Sequence, residues 1–287
     1  MLKKLLKYDM RAVWRLGWIS AVIVPIAAII AAFSTRFLST PFDDTDFLGA
    51  IAIIFAALLL FASVIAVILS FVLTMILVLA RFYKNFFTDE GYLTFTLPTT
   101  RSKMLFSKTL NAFIWFTAHI LLIIASFAVY LLLAPRPDSD EILISPFIYE
   151  QLADLFSLIF KGIGVWIIVI FALLFICMLV MLLMSITMLQ LSITIGSVIA
   201  KKAKIIVSIG IYYAINTALT MFWQLVYTSF SLTVFSSAAD TVSISSTGEM
   251  GAVVSLVLLI FIAINAVIAS LLYCFTQNLL DRRLNLA

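Results

Sequence analysis

The sequence predicts an all-α polytopic membrane protein with six transmembrane helices. Five stretches contain no Asp, Glu, Lys or Arg, namely residues 47–80, 109–135, 162–200, 205–239 and 250–280. A spanning helix needs about 20 mainly apolar residues, so each stretch is long enough to cross a bilayer. The composition agrees, because 64% of the residues are hydrophobic, 11% are charged and the mean hydropathy is +1.22. The apolar runs are continuous rather than alternating, which favours helices over barrel strands.

The predicted elements follow the charge pattern along a single transmembrane domain, residues 1–287. A sixth uncharged stretch precedes the other five and is interrupted only by Pro25. Two further amphipathic segments lie outside the spans, because their apolar residues recur at helical spacing. The elements are an elbow helix at 2–15, spans at about 16–35, 47–80, 109–134, 162–199, 205–235 and 251–276, a coupling loop at 81–108, and an external amphipathic helix at 146–161.

The elbow helix carries one residue that breaks its pattern. Basic residues occupy one face of residues 2–15 and apolar residues the other, as in a helix that lies in the membrane interface. Helical geometry places Asp9 toward the apolar side, where a carboxylate needs a partner. Two interpretations remain open: Asp9 pairs with a neighbouring base or a partner subunit, or it reaches water at the flank of the helix.

The basic residues predict the orientation of the chain. With a cytoplasmic amino terminus, fifteen of the eighteen Lys and Arg residues fall in inner segments and only Arg36, Arg136 and Lys161 fall outside. This bias follows the positive-inside rule, so we expect both termini to be cytoplasmic. The net charge of +4 is then the sum of two opposed faces, and the basic face suits anionic lipid headgroups rather than nucleic acid.

The loop between the second and third spans is the aqueous segment that looks committed to a partner. Thr88 can cap a short helix whose first turn is acidic, and Pro98 ends it. Aromatic and apolar residues between them form a compact surface, which is typical of a protein-binding hot spot. The alternative is that these aromatics fold back onto the membrane interface. The residues of this predicted coupling helix are Thr88, Asp89, Glu90, Gly91, Tyr92, Leu93, Phe95, Leu97 and Pro98.

Two stretches carry a family resemblance. LLKYD near the start and RFYKNFFTDEGYLTFTLPTTRSKMLFSKTLNAFIW after the second span resemble the permease subunits of bacterial type-2 ABC exporters, especially those of Gram-positive bacteria. The resemblance implies a multi-pass protein of the bacterial plasma membrane, with an elbow helix at residues 2–14. It also implies that residues 88–97 sit in a groove of a separate cytoplasmic ABC ATPase subunit. A second permease, either a copy of this chain or a paralogue, is implied as well.

The sequence lacks the parts of a nucleotide-hydrolysing enzyme. It contains no GxxxxGK[ST] phosphate loop and no Gly-Lys pair, so ATP and Mg²⁺ are expected on the partner ATPase and no cofactor on this chain. No catalytic or metal-binding motif such as HExxH is present, and we expect no enzymatic activity. Cys177 and Cys274 both lie inside apolar runs, which makes a disulfide or a Cys-based metal site a poor explanation for them.

Uncharged polar residues within the spans are candidates for a translocation path. They are Asn111, His119, Gln190, Asn216, Gln224 and Asn265. The alternative for each is an interhelical hydrogen bond, and for His119 a bond to a hydroxyl or carbonyl of a neighbouring helix. Walls without charge favour a peptidic, lipid-like or otherwise hydrophobic cargo over a small ion. Two other classes stay open: a non-transporting membrane scaffold or assembly factor, and a secondary transporter, which we would expect to hold buried carboxylates.

Overall fold

The computed structural model contains the six long helices that the charge pattern predicts. It describes residues 2–39, 47–88, 91, 99–134, 157, 166–200, 203–239 and 247–283, and the side chains among them outside 230–239, 247–250 and 282–283. The helices are α1 (Leu2–Leu38), α2 (Phe47–Phe87), α3 (Arg101–Leu133), α4 (Trp166–Ile199), α5 (Lys204–Ala239) and α6 (Thr247–Arg283). Each has the length and the apolar composition needed to cross a membrane, so the prediction of a six-helix membrane protein is confirmed.

The helices extend beyond the predicted spans because basic residues do not interrupt them. α2 continues past Arg81 and Lys84 to Phe87, and α3 begins at Arg101, two turns before the uncharged stretch. Long basic side chains let a helix leave the apolar region without ending. With 41 residues, α2 is about 60 Å long at a rise of about 1.5 Å per residue, twice the thickness of a hydrocarbon core.

The predicted elbow is the first part of α1 rather than a separate helix. Residues 2–15 are helical as predicted, and the helix continues through Pro25 to Leu38 without a break. The predicted coupling helix lies outside the described residues except for Thr88 and Gly91. The external helix at 146–161 likewise lies outside them except for Ser157. At the start of α3, the Thr100 carbonyl accepts hydrogen bonds from the backbone amides of Lys103 and Met104.

The chain divides into two compact units. The first contains Met1–Phe82 and Phe106–Leu155, and therefore α1, most of α2 and most of α3. Its core uses small residues on α1, which let helices pack closely where lipid gives no hydrophobic driving force. The buried apolar side chains of this unit include Val24, Ala27, Ala28, Ala32, Ala56, Val78, Phe82, Ala112 and Phe116.

The second unit contains Tyr83–Leu105 and Phe156–Ala287, with α4 packed against both α5 and α6. Two glycines allow the closest approaches. A Cβ on Gly196 of α4 would lie 2.7 Å from the backbone nitrogen of Ser208 in α5, and a Cβ on Gly251 of α6 would lie 2.6 Å from Trp166 of α4. A side chain at Gly196 would therefore need the α5 backbone to shift, and one at Gly251 would need the Trp166 side chain to shift.

Candidate functional site

A polar cluster lies inside the first unit, among helices that are otherwise apolar. Ser20 of α1, Ser70 and Thr74 of α2, and His119 of α3 are all buried, with at most 4% of their surface exposed. The imidazole lies between the two α2 hydroxyls: its Nε2 is 3.3 Å from the Ser70 Oγ, and its Nδ1 is 3.3 Å from the Thr74 Oγ1. The Thr74 hydroxyl in turn lies 2.9 Å from the Ser20 Oγ, so the cluster connects three helices.

The hydroxyls of this cluster also have backbone acceptors. Ser20 donates to the Gly17 carbonyl, and Ser70 donates to the Val67 carbonyl at 2.8 Å. The Thr74 hydroxyl lies within hydrogen-bond distance of the Ser20 oxygen, the Ser70 carbonyl and the Nδ1 of His119. Polar groups buried in this way are stabilised by such partners. These contacts form a buried polar link between α1, α2 and α3.

This cluster supports one of the two interpretations left open for His119. The imidazole bonds to hydroxyls of a neighbouring helix. Ser70 and Thr74 are not among the predicted site residues, although the sequence contains a signal for them. Ser63, Ser70 and Thr74 are the hydroxyl residues of the uncharged stretch 47–80, and spacings of seven and four place them on one face of a helix.

Asp9 forms an ion pair with a basic residue, Lys108. Its Oδ1 accepts from the Lys108 ammonium of α3, and its Oδ2 accepts from the Ser107 hydroxyl at 3.3 Å. The side chains of Asp9 and Lys108 are only 5% and 7% exposed, so this is a buried ion pair. The interpretation that Asp9 pairs with a base is therefore confirmed, and the alternative that it reaches water is wrong. The pair joins the first turns of α1 to the first turns of α3.

The edges of the predicted coupling loop are described, whereas most of its helix is not. Phe86 near the end of α2 and Met104 and Leu105 near the start of α3 are buried, with 0–2% of their surface exposed. The Gly91 amide donates to the Thr88 carbonyl at 2.7 Å, which closes a turn at the beginning of the segment. The other predicted coupling residues lie outside the described part of the chain: Asp89, Glu90, Tyr92, Leu93, Phe95, Leu97 and Pro98.

Arg101, which is not among the predicted site residues, connects the start of α3 to the end of α6. Its Nη1 donates to the carbonyls of Leu280 and Asp281, at 2.9 and 3.0 Å. The last carbonyls of a helix lack partners within the helix, and a cation there also favours the helix dipole. The contact spans 179 residues of sequence, so no local pattern indicates it.

The candidate path residues fall into two groups. Asn111, His119, Gln190 and Asn265 are buried, with 0–4% of their surface exposed, whereas Asn216 and Gln224 of α5 are exposed. The Asn265 amide donates to the Phe261 carbonyl of its own helix, and its Oδ1 has no partner among the described residues. His119 contacts the hydroxyls of Ser70 and Thr74, as described above.

An apolar groove of about 340 Å³ lies in the first unit, next to the polar cluster. α1, α2 and α3 all contribute to it, and Val67, whose carbonyl accepts from Ser70, lies on its wall. Its polar lining consists of Ser63, Ser126 and Tyr130, and the other nine residues are apolar. Such a groove suits a hydrophobic chain better than an ion.

Comparison with known proteins does not place the chain in a family. No protein-family model, no curated protein and no solved structure matches it. The length and hydropathy of its six helices identify the chain as a six-helix membrane protein. Among the described residues, no group of three or more His, Cys, Asp or Glu side chains is placed to hold a metal ion.

Proposed function

We propose that this chain is the permease subunit of an ATP-driven ABC exporter of the bacterial plasma membrane. Its spans form the translocation path, and residues 88–97 receive force from a separate cytoplasmic ATPase subunit that binds ATP and Mg²⁺. The sequence resemblance motivates the proposal, and the absence of a phosphate loop from this chain agrees with it.

The proposal rests on the position of residues 83–105, the segment that contains the predicted coupling helix. Residues 83–105 belong to the second unit, while the helices that flank them, α2 up to Phe82 and α3 from Phe106, belong to the first. The segment also joins the end of α2 to the start of α3 along the chain. A force on this segment would therefore reach both helices directly.

The described edges of the segment support the same role because they are packed. Phe86 and Leu105 are buried, and Arg101 holds two carbonyls at the end of α6. A loop with packed edges transmits displacement, whereas a loop with loose edges absorbs it. At the other end of this stretch of α3, Lys108 pairs with Asp9 of α1, which extends the connection to the first helix.

The apolar groove supports a hydrophobic, lipid-like or peptidic cargo. Nine of its twelve lining residues are apolar and none is charged. A cargo chain held there would contact α1, α2 and α3, and it would end one turn from the Ser70 and His119 pair.

The first test is association with the ATPase. Replacement of both Tyr92 and Phe95 by Asp places two charges on the predicted apolar surface of the coupling helix. The affinity-tagged variant should insert into the membrane normally and lose the ABC ATPase that co-purifies with the unmodified chain. Tyr8→Asp is the matched control, since Tyr8 is an exposed tyrosine that lies outside the coupling loop. An ATPase that stays bound to the double variant contradicts the coupling assignment.

The second test separates an exporter from a scaffold or assembly factor. The catalytic glutamate of the co-purified ATPase is replaced by Gln, and release of hydrophobic peptides or lipids from the cells is measured. An exporter loses release while the complex stays assembled. Unchanged release from an intact complex that cannot hydrolyse ATP would favour the scaffold.

A further inference from the structure

One face of α3 carries polar atoms through the interior of the first unit. We define the α3 track as Lys108, Asn111, Trp115 and His119, all of which are buried, with 2–7% of their surface exposed. At about 100° per residue these four positions cover about 80° of the helix circumference, so they form one face. They extend over about 17 Å of the helix axis at about 1.5 Å per residue.

The two ends of the track have partners within the same unit. Lys108 forms the ion pair with Asp9 of α1, and His119 contacts the hydroxyls of Ser70 and Thr74 of α2. Each end is therefore joined to a second helix by polar contacts.

The two residues in the middle of the track each contain a polar atom that lacks such a contact. The Oδ1 of Asn111 and the Nε1 of Trp115 are buried, and neither has a hydrogen-bond partner among the described residues. An amide oxygen only accepts and an indole N–H only donates, so the two atoms need partners of opposite kind. Buried polar groups in folded proteins are almost always paired, with the protein itself or with ordered water.

The packing of α1 on α3 keeps one register along the track. Asp9 pairs with Lys108, 99 residues further along the chain. Two turns later, Gly17 lies so close to the Trp115 ring that a Cβ on the glycine would come within 3.0 Å of it. The offset between these two positions, 115 less 17, is 98 residues, so the helices run side by side with almost no slip.

This register explains why α1 supplies no partner in the middle of the track. It places the buried Val13 at the level of Asn111, and Gly17 at the level of Trp115. Neither has a polar side chain. The unpaired oxygen and the unpaired N–H therefore lie one turn apart on α3, opposite an apolar part of α1.

We propose that a water molecule binds between Asn111 and Trp115, where it accepts the indole hydrogen and donates to the Oδ1 oxygen. Hydrogen bonds of about 2.9 Å let one water join two atoms about 5 Å apart. Side chains four positions apart on a helix have their Cβ atoms about 5–6 Å apart, which suits such a bridge. Buried waters of this kind make about three hydrogen bonds to groups that the fold leaves unpaired.

The bound water makes the α3 track continuous. Polar groups then follow one another at steps of about one turn, from the ion pair of Asp9 and Lys108 to the polar cluster around His119. Asn111, a candidate path residue, holds a water in this arrangement and does not face cargo. The proposal does not rest on the exporter function, because it concerns only polar groups buried inside one unit.

The test is nuclear magnetic resonance of the full chain in lipid nanodiscs, with a heavy nitrogen isotope in the tryptophan indoles. The chain has five tryptophans, and the Trp115 signal is the one missing from Trp115→Phe. Water held against the indole N–H should give a cross peak between this signal and the water resonance.

Variants of Asn111 show whether the amide oxygen holds the water. Asn111→Leu removes the acceptor at similar size, so the cross peak should be lost, whereas Asn111→Ser keeps a side-chain oxygen and should retain it. Asn265→Leu is the matched control, because Asn265 is another buried asparagine with an unpaired Oδ1 among the described residues, and it lies in the second unit. It should leave the Trp115 cross peak unchanged. If Asn111→Leu does not insert, the unmodified chain and Asn111→Ser decide, since both should show the cross peak.

Three results would overturn the proposal. A Trp115 signal without the cross peak, but shifted as in a hydrogen-bonded indole, would mean that Trp115 donates directly to Asn111. A signal with neither the cross peak nor the shift would mean that the N–H stays unpaired. An undiminished cross peak in Asn111→Leu would mean that water reaches Trp115 without Asn111. No ATPase takes part in the measurement, so a failure here is distinguishable from a failure of the proposed function.

Discussion

The carboxylate of Asp9 and the ammonium of Lys108 form a buried ion pair between α1 and α3. The Ser107 hydroxyl donates to the second carboxylate oxygen, so both oxygens of Asp9 are bonded. Two charges removed from water stabilise a fold only when their geometry and their remaining bonds compensate for desolvation. The pair is therefore sensitive to the loss of either partner.

Removal of the base alone should destabilise the protein strongly. Lys108→Met leaves the Asp9 carboxylate buried without its cation, which should cost about 3–5 kcal/mol. The double variant Asp9→Asn with Lys108→Met should recover most of this loss, because it leaves no buried charge. Thermal unfolding in detergent measures both. Lys7→Met is the control, since Lys7 is exposed on α1 and its variant should unfold at the wild-type temperature. Equal loss in the single and the double variants would contradict a role for the charge.

The hydroxyl of Thr74 should matter more than its shape. Thr74→Val keeps the side-chain volume but leaves the Nδ1 of His119 and the Ser20 hydroxyl without their shared partner. We expect a loss of about 1–2 kcal/mol in the free energy of unfolding. Thr187→Val is the control, because Thr187 is equally buried and its described hydrogen bond stays within α4. It should cost less than half as much. Equal costs for the two variants would mean that the link to His119 contributes nothing.

The spans could be predicted from sequence, because lipid constrains every residue of a long helix in the same way. The absence of charge from residues 47–80 was enough to predict α2. The end of α2 at Phe87 could not be predicted from the charges, because Arg81 and Lys84 are compatible with a helix that continues out of the membrane.

The side-chain partners could not be predicted in the same way. The position of Asp9 on the apolar side of its helix indicated that it needs a basic partner. That the partner is Lys108, 99 residues further along the chain, depends on how α1 packs on α3. The hydroxyl partners of His119 were predicted as a class and not as Ser70 and Thr74. Likewise, the sequence lists Asn216 beside Asn265 as polar residues of spans, and only the packing of α4 with α5 and α6 separates an exposed amide from a buried one.

The close approach of α4 and α5 should make Gly196 intolerant of any side chain. A Cβ there would lie 2.7 Å from the Ser208 backbone nitrogen, which cannot move aside as a flexible side chain can. Gly196→Ala should therefore lower the free energy of unfolding by about 1–3 kcal/mol, as over-packing does elsewhere. Gly210→Ala is the control, because nothing lies within 4 Å of the Cβ that it adds, and it should leave stability unchanged or raise it. Thermal unfolding of the two variants measures both effects, and equal stability of the two would contradict the close approach of α4 and α5.

The hydrogen bonds from Arg101 to the end of α6 should stabilise the last turn of that helix. Arg101→Gln removes the cation that the Leu280 and Asp281 carbonyls share, so the last turn should open more often. A charge-assisted hydrogen bond contributes about 1.5–3 kcal/mol, and backbone amides of residues 277–283 should exchange at least about tenfold faster. Lys103→Gln is the control, since Lys103 is exposed in the same turn of α3. The bond connects the start of α3, next to the predicted coupling loop, with the end of α6. Under the proposed function, the same variant should therefore weaken ATP-driven release without abolishing ATPase binding. Loss of ATPase binding in Arg101→Gln would mean that this residue shapes the docking surface itself, while unchanged exchange at the end of α6 would mean that the two carbonyls have water as an adequate substitute.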